Sequence, residues 1–66
     1  MLQEYDVVAL KQSTVAIPLP ARTEGTVLLV HPANPPAYEV EFMDTEGRSL
    51  GVYSAQDDDL ELIAAD

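Results

Sequence analysis

The clearest hydrophobic pattern in the chain is an alternation in which Tyr38, Val40 and Phe42 are separated by Glu39 and Glu41. Strict alternation of apolar and polar residues is typical of a β-strand with one face in the core and one in solvent. This run therefore predicts a strand whose glutamates lie on the wet face.

Two earlier strands are predicted at Asp6–Leu10 and Glu24–His31, where both alternating sets are largely apolar. Such a strand is typical of a position covered on both faces, and the second is predicted to be central. Between them, Pro18 and Pro20 exclude a helix or a central strand. We predict a long loop over 11–23 that folds back over an open end of the core. Its alternating apolar residues are Val15, Ile17 and Leu19.

A turn and a fourth strand follow the alternating run. The segment Asp44–Gly47 predicts a type I turn closed by a glycine in the left-handed region. The next strand is predicted to bury Leu50, Val52 and Ser54, with a bulge or tight bend at Gly51.

The last part of the chain predicts one helical turn and a fifth strand. The segment Ser54–Asp57 has the form of a capping box, with a hydroxyl at its start and a carboxylate three residues later. We therefore predict a short helical turn there that runs through Asp58. A strand over Leu60–Ile63 follows, with Leu60 and Leu62 on one face.

These elements describe an all-β fold, a small five-stranded antiparallel SH3-like barrel with a short helical turn before the last strand. The chain has 66 residues, one histidine and no cysteine. It is therefore predicted to form a single domain over residues 1–66 without disulfides, and a structural zinc site is disfavoured. Because so small a domain is marginally stable, it needs a tight apolar core or association with another chain.

The net charge of −9 arises from twelve acidic residues against Lys11, Arg22 and Arg48. Nucleic acids and anionic membranes are bound by clusters of Lys and Arg, and three scattered residues form no such cluster. We therefore expect no nucleic acid and no membrane as ligand, and a basic protein as partner. The alternative is that the charge only keeps a small protein soluble. Since no segment is long enough to span a membrane and no signal-type sequence is present, we expect a cytoplasmic protein.

One set of segments points to a known family. It comprises Asp6–Leu10, Gly25–Val27, Tyr38–Phe42, Asp44 with Gly47–Arg48, and an acidic residue before Leu60. In this order they resemble the small bacterial proteins of domain-of-unknown-function family 4926. The resemblance implies an SH3-like barrel, a stand-alone cytoplasmic protein and no catalytic residues. Some members stand beside toxin-like genes, which implies a neutralising or immunity role.

A second likeness concerns the fold alone. The segment Gly25–Val27 is similar to the glycine-led strand of KOW-type barrels. Those barrels are typically basic where they contact RNA, whereas this chain is acidic, so the likeness carries no function.

No group of residues predicts catalysis, a metal or another cofactor. His31 has no nucleophile and no orienting carboxylate at a recognisable spacing. The run Asp57–Asp59 with Glu61 lacks the spacing of a calcium-binding loop, so we interpret it as a solvated acidic turn. The few aromatic residues disfavour a groove of the SH3 type for proline-rich peptides. We therefore expect no enzyme and no cofactor.

Glu39, Glu41 and Glu61 are the predicted protein-binding residues, as an acidic docking stripe. The leading hypothesis is a small acidic protein-binding module, of the antitoxin or immunity type, that inhibits a basic partner. The alternative is an accessory structural or regulatory subunit of an enzyme or ribonucleoprotein complex. We expect a monomer or a weak homodimer, the latter through an exposed strand edge.

Overall fold

The computed structural model describes all 66 residues and contains five β-strands and one short 3₁₀ helix. The strands are β1 Val7–Leu10, β2 Glu24–His31, β3 Ala37–Met43, β4 Ser49–Gln56 and β5 Leu60–Ala64, and the helix is Asp57–Asp59. All neighbouring strands are antiparallel and form one sheet in the order β4-β3-β2-β1-β5. The predicted small five-stranded antiparallel fold with a helical turn before the last strand is confirmed. Closure into an SH3-like barrel stays a prediction, because β4 and β5 end the order without pairing to each other.

The hydrophobic core lies on one face of this sheet, and β3 is at its centre. The side chains of Tyr38, Val40 and Phe42 are fully buried, as the alternation predicts. The other members of the core come from the remaining strands and from the first loop: Val8, Leu10, Ile17, Val27, Ala55 and Leu60. Burial of a large apolar side chain contributes about 1.5–3 kcal/mol, so this cluster is the main source of stability.

Strand β2 is central in the sheet, as predicted, but its two faces are not both covered. Val27 is buried, whereas Leu28 and Leu29 are both exposed. The register with β3 shifts between Val27 and Leu29, so Leu28 is an extra residue at a bulge. The bulge restores Val30 to the inner side, where it packs against the core. Alternation alone does not reveal this, because all four residues are apolar.

The predicted inward residues of β4 are wrong. Phe42 pairs with Gly51 and Met43 pairs with Ser49, which leaves Leu50 as the extra residue of a bulge. Because paired residues of an antiparallel sheet share a face, the inward position of Phe42 places Tyr53 and Ala55 inward. Leu50, Val52 and Ser54 are exposed instead. The bulge at Gly51 itself is confirmed, and this glycine has a φ of 115°.

The hairpin turn between β3 and β4 is confirmed. The N–H of Gly47 donates to the carbonyl of Asp44 at 3.0 Å, and Gly47 has a φ of 84°. The carboxylate of Asp44 also accepts the backbone N–H groups of Glu46 and Arg48, both at 2.9 Å. A glycine fits the last position because it adopts positive φ without steric cost.

The capping box of the helical turn lies two residues later than predicted. The N–H of Gln56 donates to Oδ2 of Asp59 at 2.8 Å, and the Gln56 side chain caps the Asp59 backbone in return. Ser54 has no capping role, since it is still part of β4 and its hydroxyl donates to Glu39. Asp57 accepts a hydrogen bond from Tyr38 rather than capping the helix.

The long first loop folds back onto the core through part of its predicted apolar set. Ile17 is buried in the core and Leu19 packs against it, but Val15 is fully exposed. The base of the loop is tied to β1, because the N–H of Arg22 donates to the carbonyl of Leu10 at 2.7 Å.

The 3₁₀ helix has only three residues. None of the helical structure in the chain has the length and hydrophobicity of a membrane-spanning helix.

Candidate protein-binding face

The face of the sheet opposite the core carries two of the predicted binding residues. Glu39 and Glu41 are two positions apart on β3 and point outward, each half-buried. Two cross-strand rows define this surface, which we call the acidic face: Leu29, Glu39 and Ser54 form one, and Thr26, Glu41 and Val52 form the other. The prediction that both glutamates share the solvent side of one strand is confirmed.

Exposed apolar side chains flank both glutamates on the acidic face. Leu29 retains 45% and Val52 retains 53% of its accessible surface. Protein interfaces combine apolar area that is buried on binding with polar groups that stay near solvent. The acidic face can therefore contribute apolar contact area as well as carboxylates.

The carboxylate of Glu39 is held by two neighbours. Ser54 Oγ donates to Glu39 Oε2 at 2.8 Å, and Nε2 of His31 lies 3.2 Å from the same oxygen. Sequence spacing did not predict this group, because the three residues meet only through the pairing of β2, β3 and β4. The carboxylate lies between the hydroxyl and the imidazole, so His31 does not contact the hydroxyl as it does in a catalytic triad.

Glu41 differs from Glu39 in having no partner. Its carboxylate forms neither a side-chain hydrogen bond nor an ion pair, and the guanidinium of Arg48 on the hairpin binds Asp44 and Glu46 instead. Glu41 is thus the unpaired carboxylate of the acidic face, and a cation supplied by a partner meets no internal competitor there.

Glu61 lies apart from the other two predicted residues. It lies on β5, where it pairs with Ala9 of β1, and two strands separate β5 from β3. At about 4.8 Å per strand, three spacings place it roughly 14 Å from the β3 row. Its Oε1 accepts a bond from Nη1 of Arg22 at 3.3 Å in an exposed ion pair. The structure therefore brings Glu39 and Glu41 together and places Glu61 across the sheet.

The amino-acid sequence of the chain matches one protein-family model. The chain matches the model of the family described as "Domain of unknown function (DUF4926)" over residues 4–62. This chain belongs to the DUF4926 family. The expected membership is confirmed, and the match includes all three predicted binding residues. Comparisons with curated proteins and with solved structures give no match.

The remaining carboxylates of this DUF4926 chain do not assemble into a metal centre. No group of three or more His, Asp or Glu side chains is placed to hold a metal ion. Asp44 is committed to the hairpin turn, where the backbone N–H of Arg48 is the main cause of a lowered pKa. Asp6 is buried and accepts the N–H groups of Asp66 and Gln3, which lower its pKa as well. These carboxylates organise loops and termini.

A groove lies at the end of the DUF4926 sheet where the first loop approaches the β3–β4 hairpin. Its volume is about 640 Å³, and its lining includes Arg22, Glu24, Met43, Asp44 and Leu50. Arg22 holds a positive φ of 75°, which is strained for a residue other than glycine. In this conformation its N–H donates to the carbonyl of Leu10 at 2.7 Å. The groove is of mixed charge and selects no one ligand class.

Proposed function

We propose that this chain is a small acidic protein-binding module that holds a basic protein partner on its acidic face, as an antitoxin or immunity protein does. The observation that carries the proposal is the position of Glu39 and Glu41 beside exposed Leu29 and Val52. Apolar contact supplies affinity when it is buried, and complementary charge supplies specificity and a fast encounter.

The distribution of basic residues supports an anionic binding surface. Arg22 is engaged by Glu61, and Arg48 is engaged by Asp44 and Glu46. Only Lys11 has no ion pair, and the net charge is −9. The excess negative charge therefore faces solvent, where it attracts a cationic partner over a range set by the Debye length, about 8 Å at physiological salt.

The proposed setting is the bacterial cytoplasm, as the family resemblance implies, and the proposed role is inhibition by binding rather than catalysis. The group of His31, Glu39 and Ser54 fits this role, because both neighbours orient a carboxylate that a partner cation can bind. A positioned carboxylate loses less side-chain entropy on binding than a free one.

The test is a pull-down from host lysate with the tagged protein, followed by affinity measurement with the purified partner. Three proteins are compared: the wild type, the acidic-face variant Glu39→Lys/Glu41→Lys, and the control Glu4→Lys/Glu46→Lys. The control changes the net charge equally at two exposed positions outside the acidic face. Each capture is done with and without nuclease and washed at low and at high salt.

We expect the wild type and the control to retain one basic protein that high salt removes, and the acidic-face variant to lose it at low salt. Equal retention by the acidic-face variant and the control would refute the acidic face as the binding surface. A complex that survives high salt would instead support an accessory subunit of a larger assembly. Capture that depends on RNA would refute the argument from charge.

A further inference from the structure

The two edges of the sheet are protected to different degrees. Strand β5 has only five residues and contains Glu61, and both features discourage pairing with another chain. Each edge strand also has one register shift, which on β4 lies at Leu50, near the start of the strand. Strand β4 has eight residues, none of them charged and none of them proline. It is hydrogen-bonded only to β3, so its other side presents free backbone groups.

The ends of β4 have side-chain partners, but its middle does not. The N–H of Gly51 donates to Ser49 Oγ at 3.2 Å, and the N–H of Gln56 donates to the carboxylate of Asp59. No side chain forms a hydrogen bond with the backbone from Val52 to Ala55. The open part of the edge thus runs from Val52 to Ala55. Val52 lies near the middle of β4, and its side chain is exposed.

We propose that the β4 edge binds a second copy of this chain, by antiparallel pairing of β4 with β4 about a two-fold axis at Val52. Such an axis is perpendicular to the sheet and keeps the outward faces of both copies on one side. Outward residues then oppose outward residues, so Val52 meets Val52 at the axis. Apolar pairs of this kind stabilise neighbouring strands.

The charges at the two ends of β4 favour a second copy of this chain as the occupant of the edge. Arg48 precedes β4 and the acidic run Asp57–Asp59 follows it. Antiparallel pairing brings the Arg48 end of β4 in each copy to the Gln56 end of β4 in the other copy, next to the acidic run. Strand β4 is also an uncharged segment in a chain of net charge −9, so two copies meet there without opposing like charges along the strand.

The proposal does not rest on the proposed function, because it needs the backbone edge of β4 and neither Glu39 nor Glu41. Val52 belongs to both surfaces, so dimerisation is tested on the purified chain without a partner. The proposed homodimer and the proposed complex with a basic partner also respond to salt in opposite directions. Screening weakens the attraction between an acidic face and a basic partner, but it also weakens the repulsion between two copies of charge −9. Self-association is therefore expected to strengthen as salt is raised.

The first test is sedimentation equilibrium of the purified wild type, Val52→Lys and the matched control Val15→Lys at low and high salt. Both variants add one positive charge at an exposed valine, but only Val52 lies on β4. We expect wild type and control to dimerise more tightly at high salt. We expect Val52→Lys to weaken dimerisation at least about tenfold, because two lysines are opposed at the axis. A wild type that stays monomeric at both salt concentrations, or equal behaviour of the two variants, would overturn the proposal.

The second test uses the absence of native cysteine. Cα atoms of opposed antiparallel residues are about 4.5–5.5 Å apart, within the range of about 4.4–6.8 Å that a disulfide spans. Mild oxidation should therefore convert Val52→Cys to a covalent dimer much faster than Val15→Cys. Equal rates of covalent dimer formation for the two variants would contradict an axis at Val52. A strand of a different protein bound at β4 in place of a second copy would also contradict the proposal.

Discussion

The hydroxyl of Tyr38 donates a hydrogen bond to Oδ1 of Asp57 at 2.8 Å, across 19 positions of the chain. Tyr38 is fully buried on β3, and its oxygen also accepts the N–H of Leu2 at 3.0 Å. Burial is the main cause of a raised pKa for this hydroxyl, and the Asp57 carboxylate adds to it. One side chain in the core thus links the N-terminal segment and the 3₁₀ helix to the middle of the sheet.

Replacement of Tyr38 by Phe is expected to lower the free energy of unfolding by about 2 kcal/mol. The variant keeps the ring but removes a hydrogen bond to a charged group, for which about 1.5–3 kcal/mol is typical. Tyr53→Phe is the control, because the Tyr53 ring packs on Phe42 and its hydroxyl forms no hydrogen bond. Urea unfolding of both variants measures the difference, and equal losses would show that the Tyr38–Asp57 bond is not stabilising.

The stability of the fold is expected to fall at acid pH through Asp6 and Asp44. Backbone N–H groups hold the folded-state pKa of both carboxyls below the ordinary value of 3.8. A folded-state pKa below the unfolded one means that the stabilisation is complete above about pH 4 and is lost as the pH falls further. The thermal midpoint should therefore be level near neutrality and should decrease below pH 4.

Amide variants test that assignment. Asp6→Asn and Asp44→Asn should lower the midpoint at neutral pH and reduce its further decrease in acid, because the neutral amide does not gain a proton there. Asp58→Asn is the control, since the Asp58 side chain is exposed and makes no hydrogen bond. If all three variants follow the acid profile of the wild type, other carboxyls cause the loss.

Gly25→Ala is expected to destabilise the fold by about 1–3 kcal/mol, as overpacking of a core does. A Cβ at this position would lie 2.8 Å from the carbonyl oxygen of Glu41 and 2.8 Å from Cγ1 of Val40. The carbonyl belongs to β3, which is paired with a strand on each side, and cannot rotate away. Gly47→Ala is the comparison, since a Cβ there meets nothing and only its φ of 84° opposes alanine. A Gly25→Ala protein as stable as the wild type would mean that β2 and β3 separate easily at this point.

The alternation on β3 was sufficient to predict which residues of that strand are buried, because apolar and charged residues differ at every step. On β4 it was insufficient. Both sides of this strand carry residues that are compatible with a core. Leu50 and Val52 lie on one side, and Tyr53 and Ala55 lie on the other. The choice between them is made by the register of the hairpin and the bulge at Gly51, which depend on the partner strand.

The candidate site shows the same limit. Glu39 and Glu41 share a face because they are neighbours on one strand, which the sequence shows directly. The distance of Glu61 from them depends on strand order, and the contact of His31 with Glu39 depends on the pairing of β2 with β3. Neither relation has a local sequence signal.

The first loop is expected to be held in place by Ile17 and not by Val15, although the two residues are equivalent in the sequence pattern. Ile17 is buried in the core, and a turn positions it: its N–H donates to Thr14 Oγ1 at 3.0 Å, and its carbonyl accepts the N–H of Thr14 at 3.1 Å. Val15 lies in the same turn and is fully exposed.

Ile17→Ala should therefore lower the free energy of unfolding by about 2–5 kcal/mol, the usual range for a buried isoleucine. Val15→Ala should change it by less than about 0.5 kcal/mol, as surface substitutions do. Chemical denaturation of both variants measures the two effects, with the slope against denaturant as a check that unfolding stays two-state. If both variants lose the same small amount, the loop is not part of the cooperative core, and the core is closed at that end by the strands alone.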